Sequence, residues 1–111
     1  MIIFNIAAYG LIVIGIVHFI FGVRMYGEIS LDFLWFISAS MGLIYSGVLN
    51  IIFCRSEDRS RSSVFLVQGC NFLNVLFSAL AIYLIREPQA LIIFIFSAIL
   101  FVMWIFRKNP K

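Results

Sequence analysis

Four long stretches of this chain contain no Asp, Glu, Lys or Arg. They are "IIFNIAAYGLIVIGIVHFIFG" (2–22), "FLWFISASMGLIYSGVLNIIFC" (33–54), "VFLVQGCNFLNVLFSALAIYLI" (64–85) and "ALIIFIFSAILFVMWIF" (90–106). Each of the first three supplies ~20 residues, which at ~1.5 Å per residue crosses a hydrocarbon layer of ~30 Å. The fourth, with ~17 residues, sits at the short end of that range. Apolar side chains surround these stretches on all sides, the pattern of a helix that faces lipid. A soluble domain carries about 25% charged residues, whereas this chain carries 12%, and 64% of its 111 residues are hydrophobic. So short a soluble chain has too little interior for that many Phe, Ile and Leu side chains. The expected fold is therefore all-α: an integral membrane four-helix bundle, with residues 1–111 forming one transmembrane domain.

The first stretch lacks the basic flank and small-residue cleavage site of a signal peptide, so it reads as a retained span. The connections "VRMYGEISLD", "RSEDRSRSS" and "REPQ" are too short to fold alone, and Pro88 marks a tight turn between the last two spans. Short connections favour an up-down-up-down order. Arg55, Arg59, Arg61, Arg107, Lys108 and Lys111 fall on the side of the two termini, and Arg24 and Arg86 on the other. The positive-inside rule then puts both termini in the cytoplasm. A compact chain of this kind suits a bacterial inner membrane. The formal charge of +3 is accounted for by basic segments beside an anionic leaflet and calls for no nucleic acid. Trp35 and Trp104 fall near opposite ends of their spans, where aromatic belts form.

Helices in lipid associate through small residues and cross-helix hydrogen bonds. The first span places Ala8, Gly15 and Gly22 at heptad spacing, with Leu11 and His18 between them. The second carries Ser38, Gly42 and Ser46 at i, i+4 spacing beside Tyr45. The third gathers Gln68, Asn71, Asn74 and Ser78 on one side, since residues advance by ~100° along a helix. The fourth has little that is polar beyond Ser97 and is expected to be the most lipid-exposed, with the first three helices meeting along these stripes. Gly15, Gly22, Gly42 and Ser46 are the expected packing positions. By depth, Asn5, Asn50, Gln68 and Asn71 fall in the cytoplasmic half. Tyr45 and Asn74 fall near the middle, and His18, Ser38, Ser78 and Tyr83 in the outer half. Polar contacts between helices account for most of these residues; a cavity lined by Asn71 and Asn74 is the competing reading.

His18 is the chain's sole histidine. Ionisable side chains within spans are costly and often functional, although a neutral imidazole costs less than a carboxylate. Three readings follow from its position. It bonds Ser38, a backbone carbonyl, or the carboxylates of Glu28 or Asp32. It belongs to an outer-leaflet pocket with those carboxylates and Arg24 or Arg86. Or it ligates a metal or haem; one histidine per chain does not make a closed metal site alone, although a symmetric dimer supplies two. No cofactor is expected.

Cys54 and Cys70 form no CxxC pair and read as small apolar filler in a reducing compartment. One histidine leaves no Ser-His-Asp set, and neither HExxH nor paired intramembrane carboxylates occur. In length and helix count the chain resembles the small multidrug transporters. That family exchanges protons for cations through a glutamate in its first helix; no Asp or Glu lies in any span here, so that activity is excluded. The expected function is a non-enzymatic accessory protein, a subunit, stabiliser or immunity-type binder. It would act in the lipid bilayer through helix-face packing, as a homo-oligomer (a dimer) or against another membrane protein. The alternative is a binding or transport protein for a small or lipidic ligand held by His18, Ser38, Tyr45, Asn71, Asn74 and Ser78.

Overall fold

The computed structural model describes residues 2–58 and 60–106. Arg59, Arg107, Lys108 and Lys111, four of the basic residues that orient the chain by sequence, lie outside the described residues. The described residues form four helices: α1 (Ile2–Tyr26), α2 (Leu31–Arg55), α3 (Arg61–Ile85) and α4 (Pro88–Phe106). All four are long and apolar enough to cross a membrane. The helices run past the uncharged stretches because their ends are capped in the polar connections. Ser30 accepts from the Phe33 N–H at 3.1 Å, and Ser60 accepts from the Ser63 N–H at 3.3 Å. Each thus satisfies one of the orphan donors at a helix N-terminus. Gly27, at φ +61°, turns the chain after α1, and Arg86, at φ 56°, is the left-handed cap that ends α3. Pro88 opens α4, where its missing N–H costs nothing.

α1 and α2 form the tightest pair. Ala7, Ala8, Leu11, Gly15 and Gly22 are buried on α1, and Ile37, Ser40, Leu43, Ser46, Gly47, Asn50 and Phe53 on α2. Glycine brings the backbones together: a Cβ at Gly47 would lie 2.6 Å from the Ala8 carbonyl oxygen, and one at Gly15 would lie 2.9 Å from that of Ser40. At one end of this pair Arg55 Nη2 donates to the Tyr9 hydroxyl at 3.0 Å. At the other, the Phe36 ring lies over Gly22.

The second tight pair is α3 with α4, and α4 also packs on α1, where the Phe96 ring fills the space over Gly10. The apolar core gathers Phe4, Ala8, Leu11, Leu43, Phe53, Leu100 and Trp104. Trp104 meets Phe4 edge-on at 5.7 Å and Phe53 at 4.9 Å.

Three expectations from sequence are corrected. The most exposed helix is α3, with Val67, Asn71 and Ser78 its buried residues, not α4, which buries Ala90, Ser97, Leu100 and Trp104. In lipid an apolar side chain is at home on either face, so a purely apolar helix is not thereby an outer one. Trp104 is 7% exposed and belongs to the core, not to an interfacial belt. On α2, Ser38 and Gly42 face outwards, and Ser38 bonds its own helix at the Trp35 carbonyl, 2.8 Å away. Ser40, Leu43, Gly47 and Asn50, on an adjacent side of the helix, meet the bundle instead.

Candidate functional site

The polar side chains of α2, α3 and α4 converge into one network. Asn50 and Asn71 are both fully buried. Asn50 Nδ2 donates to Asn71 Oδ1 at 2.8 Å, and Asn71 Nδ2 returns a bond to Asn50 Oδ1 at 3.0 Å. Asn50 Nδ2 also donates to the Ser46 carbonyl one turn back at 2.8 Å, and the Trp104 indole N–H donates to Asn50 Oδ1 at 3.2 Å. Gln68 Nε2 reaches the Phe101 carbonyl at 3.1 Å, tying α3 to α4. One level further along, Asn74 Nδ2 donates to Ser46 Oγ. Ser78 Oγ donates to the Asn74 carbonyl of its own helix at 2.6 Å. A buried amide without partners costs far more than the net worth of a bond. The two asparagines each meet that demand through the other.

Asn71 is therefore consumed by the fold. Asn74 is half-buried and has a free side: it lines a cleft of about 370 Å³ between α2 and α3, with Gly42, Tyr45, Ser46, Cys70 and Leu73 among the walls. This cleft exists because α2 and α3 touch least of the consecutive helix pairs, meeting at the Asn50–Asn71 and Ser46–Asn74 bonds. Tyr45, 62% exposed, stands at its edge. A hollow of about 460 Å³ over Arg61, Ser62, Phe65 and Leu66 is walled by α3 alone.

His18 does not reach this cleft. Its imidazole stacks on the Phe36 ring, centroids 3.8 Å apart and planes 10° from parallel. Gly22, one turn along, leaves the room for Phe36 to lie there, and Tyr26, another turn along, closes on Phe36 at 5.6 Å. Ser38 bonds elsewhere, so the expected His18–Ser38 pair does not form. Glu28, Asp32, Arg24 and Arg86 are exposed at the connections. The six residues expected to line one ligand site thus divide. Asn71 and Ser78 are buried in helix contacts, Tyr45 and Asn74 border the α2–α3 cleft, Ser38 is exposed, and His18 sits in an aromatic stack on α1 and α2. Among the described residues no three His, Cys, Asp or Glu side chains come together as a metal site. Cys54 and Cys70 form no disulfide with each other, and Cys70 lies on the cleft wall.

Sequence reading missed Asn50, Gly47 and Trp104 as partners. Asn50 lies one turn from Ser46 and two positions of a buried stripe from Leu43, a spacing that marks it as facing the same neighbour. Nothing in the sequence announces that Trp104 donates to it.

These features define an all-helical membrane protein whose bundle is held by a buried amide network. Compared with protein families, characterised proteins and solved structures, the chain matches none.

Proposed function

We propose that this is a small non-enzymatic accessory protein of a membrane, a subunit, stabiliser or immunity-type binder that recognises another membrane protein or its own copy through exposed helix faces. The observation that carries the reading is the use made of the polar side chains. Asn50, Asn71, Gln68 and Trp104 bond one another or the backbone across helices. Among the described residues the Ser97 hydroxyl on α4 is buried without a hydrogen-bond partner, and Tyr45 and Asn74 leave polar capacity on the outer α2–α3 face, where a neighbouring helix would meet it.

The proposed arrangement is up-down-up-down with both termini cytoplasmic, in a bacterial inner membrane. Reversed contact order supports the first part: Ala8 meets Gly47, Gly15 meets Ser40 and Ile44, and Gly22 meets Phe36 and Ile37. The Lys/Arg bias supports the second. A lipidic ligand in the α2–α3 cleft is the second reading, favoured by the half-buried Asn74 on its wall.

The test is a photoreactive side chain introduced at Tyr45 and, separately, at Val13 on the exposed face of α1, activated in intact membranes. The accessory reading predicts protein-sized adducts from Tyr45 and not from Val13. Adducts from Tyr45 with lipid or a small molecule alone would favour the ligand reading.

A further inference from the structure

The exposed face of α3 carries a groove with a charge at one end. At ~100° per residue, Gly69 lies at the centre of this face, with Phe65 and Phe72 on one side of it and Leu66 and Leu73 on the other. All four large side chains are exposed, and a Cβ added at Gly69 would meet nothing within 4 Å. The glycine is therefore the floor of the groove and the four side chains are its walls. Phe72 is steadied by Phe101 of α4, ring centroids 6.0 Å apart. Leu76, in line with Gly69, closes the groove at mid-span. At the other end the groove opens into the hollow over Arg61, Ser62, Phe65 and Leu66. The Arg61 side chain, in the first turn of α3, makes no hydrogen bond or ion pair among the described residues. The nearby Asp58 carboxylate accepts from the Ser60 N–H and the Ser63 hydroxyl, on another side of the helix.

We infer that this face of α3 binds one anionic phospholipid of the leaflet that holds the α2–α3 connection. Arg61 and the Ser62 hydroxyl take the phosphate, and one acyl chain lies over Gly69 between the Phe and Leu walls. Charge, length and width select this occupant. A guanidinium at the mouth calls for a phosphate or carboxylate, and phosphate headgroups lie at that level of the membrane. From Phe65 to Leu76 the groove runs ~16 Å at ~1.5 Å per residue. That is about half of a hydrocarbon layer of ~30 Å, the depth of one leaflet. Its walls and floor present no polar side chain, so what lies in it is an apolar tail. A partner helix fits less well. Helices that pack closely in membranes use small residues in series, one turn apart. The residues one turn from Gly69 are Phe65 and Leu73, so the glycine is a single notch between large side chains. A helix, about 10 Å across with its side chains, would ride on those walls, whereas one acyl chain reaches the floor. The lipid site is independent of the partner reading above, which concerns the α2–α3 cleft.

The test is native mass spectrometry of the full chain extracted from vesicles of equal parts phosphatidylglycerol and phosphatidylcholine with the same acyl chains. Wild type is expected to retain one lipid, with phosphatidylglycerol favoured about fivefold, the worth of one basic side chain near the surface. Arg61→Gln is expected to bring the two lipids to equal retention. Gly69→Leu, which fills the floor, is expected to lower retention of both lipids about fivefold or more. Neither variant should lower the thermal midpoint in detergent without added lipid, because the Arg61 side chain and a Cβ at Gly69 meet nothing within the chain. Arg24→Gln, at the opposite end of the bundle, should retain lipid like wild type. Equal retention of the two lipids by wild type overturns the inference, as does a preference unchanged in Arg61→Gln or full retention in Gly69→Leu. Glycerophosphoglycerol, the headgroup without acyl chains, is not expected to displace the lipid. Displacement at equal concentration would make Arg61 a site for free phosphate esters and overturn the groove. A photoreactive side chain at Leu66 is expected to capture lipid in intact membranes; a protein adduct there would put a partner helix in the groove and overturn the inference as well.

Discussion

The side-chain amides of Asn50 and Asn71 bond each other twice, at 2.8 and 3.0 Å, across the interface of α2 and α3. Because α2 and α3 share little other contact, this pair and the Ser46–Asn74 bond are what join the α1–α2 hairpin to α3. The Trp104 N–H adds α4 to the same oxygen of Asn50.

Asn50→Leu takes from Asn71 both bonds of the pair and from the Trp104 N–H its acceptor, whereas Asn71→Leu leaves Asn50 bonded to the Ser46 carbonyl and the Trp104 N–H. Asn50→Leu should destabilise the bundle by about 1–3 kcal/mol and Asn71→Leu by less, because buried polar atoms lose partners in each. The double variant should cost clearly less than the sum, since the demand for partners disappears on both sides. Unfolding of the four proteins in mixed micelles gives the cycle. Strict additivity would mean that the two amides do not share a bond.

Two glycines of α2 should respond oppositely to alanine. A Cβ at Gly47 meets the Ala8 backbone oxygen, whereas one at Gly42 meets nothing. Gly47→Ala should lower stability by about 1–3 kcal/mol through forced separation of α1 and α2. Gly42→Ala should leave it unchanged or raise it by up to about 1 kcal/mol, the helix preference of alanine over glycine. Thermal midpoints of the two variants check this.

The two tryptophans should differ in accessibility. Trp35 is 70% exposed and Trp104 is 7% exposed. In Trp35→Phe the remaining emission should resist acrylamide, and in Trp104→Phe it should be quenched more strongly. Equal quenching would place Trp104 outside the core.

Sidedness is checked by cysteine labelling in a background without Cys54 and Cys70. With the termini in the cytoplasm, Glu57→Cys should react with an impermeant maleimide only after the membrane is opened, and Glu28→Cys should react in intact cells. The reverse pattern would invert the protein.

The helices themselves were legible because an uncharged stretch of spanning length has few other uses, and the turn before α4 because Pro88 is a local signal; the starts of α2 and α3 were not, since their caps, Ser30 and Ser60, lie in the polar connections outside those stretches. Rotation of each helix about its axis was much harder to read. On α2 two stripes of small and polar residues lie side by side, Ser38–Gly42–Ser46 and Ser40–Gly47–Asn50, and spacing alone does not say which meets α1. The answer depends on Ala8 and Ile12 lying opposite Gly47, a relation between segments far apart in sequence. The apolar composition of α4 hid its central place for the related reason that lipid and core are equally apolar solvents. His18 was conspicuous by rarity. Its neighbour Phe36 was not, because a ring stacking on imidazole leaves no mark in the spacing of either residue.

The central claim is that this protein acts through its helix faces, with the side chains of Asn50, Asn71 and Trp104 spent on the bundle. Native mass spectrometry of the gently extracted protein, with His18→Ala and Asn74→Leu alongside, tests it most directly. The account predicts the mass of the chain or of its protein assemblies, with no small molecule whose retention depends on either side chain. A defined ligand mass present in wild type and lost in His18→Ala or Asn74→Leu would contradict it.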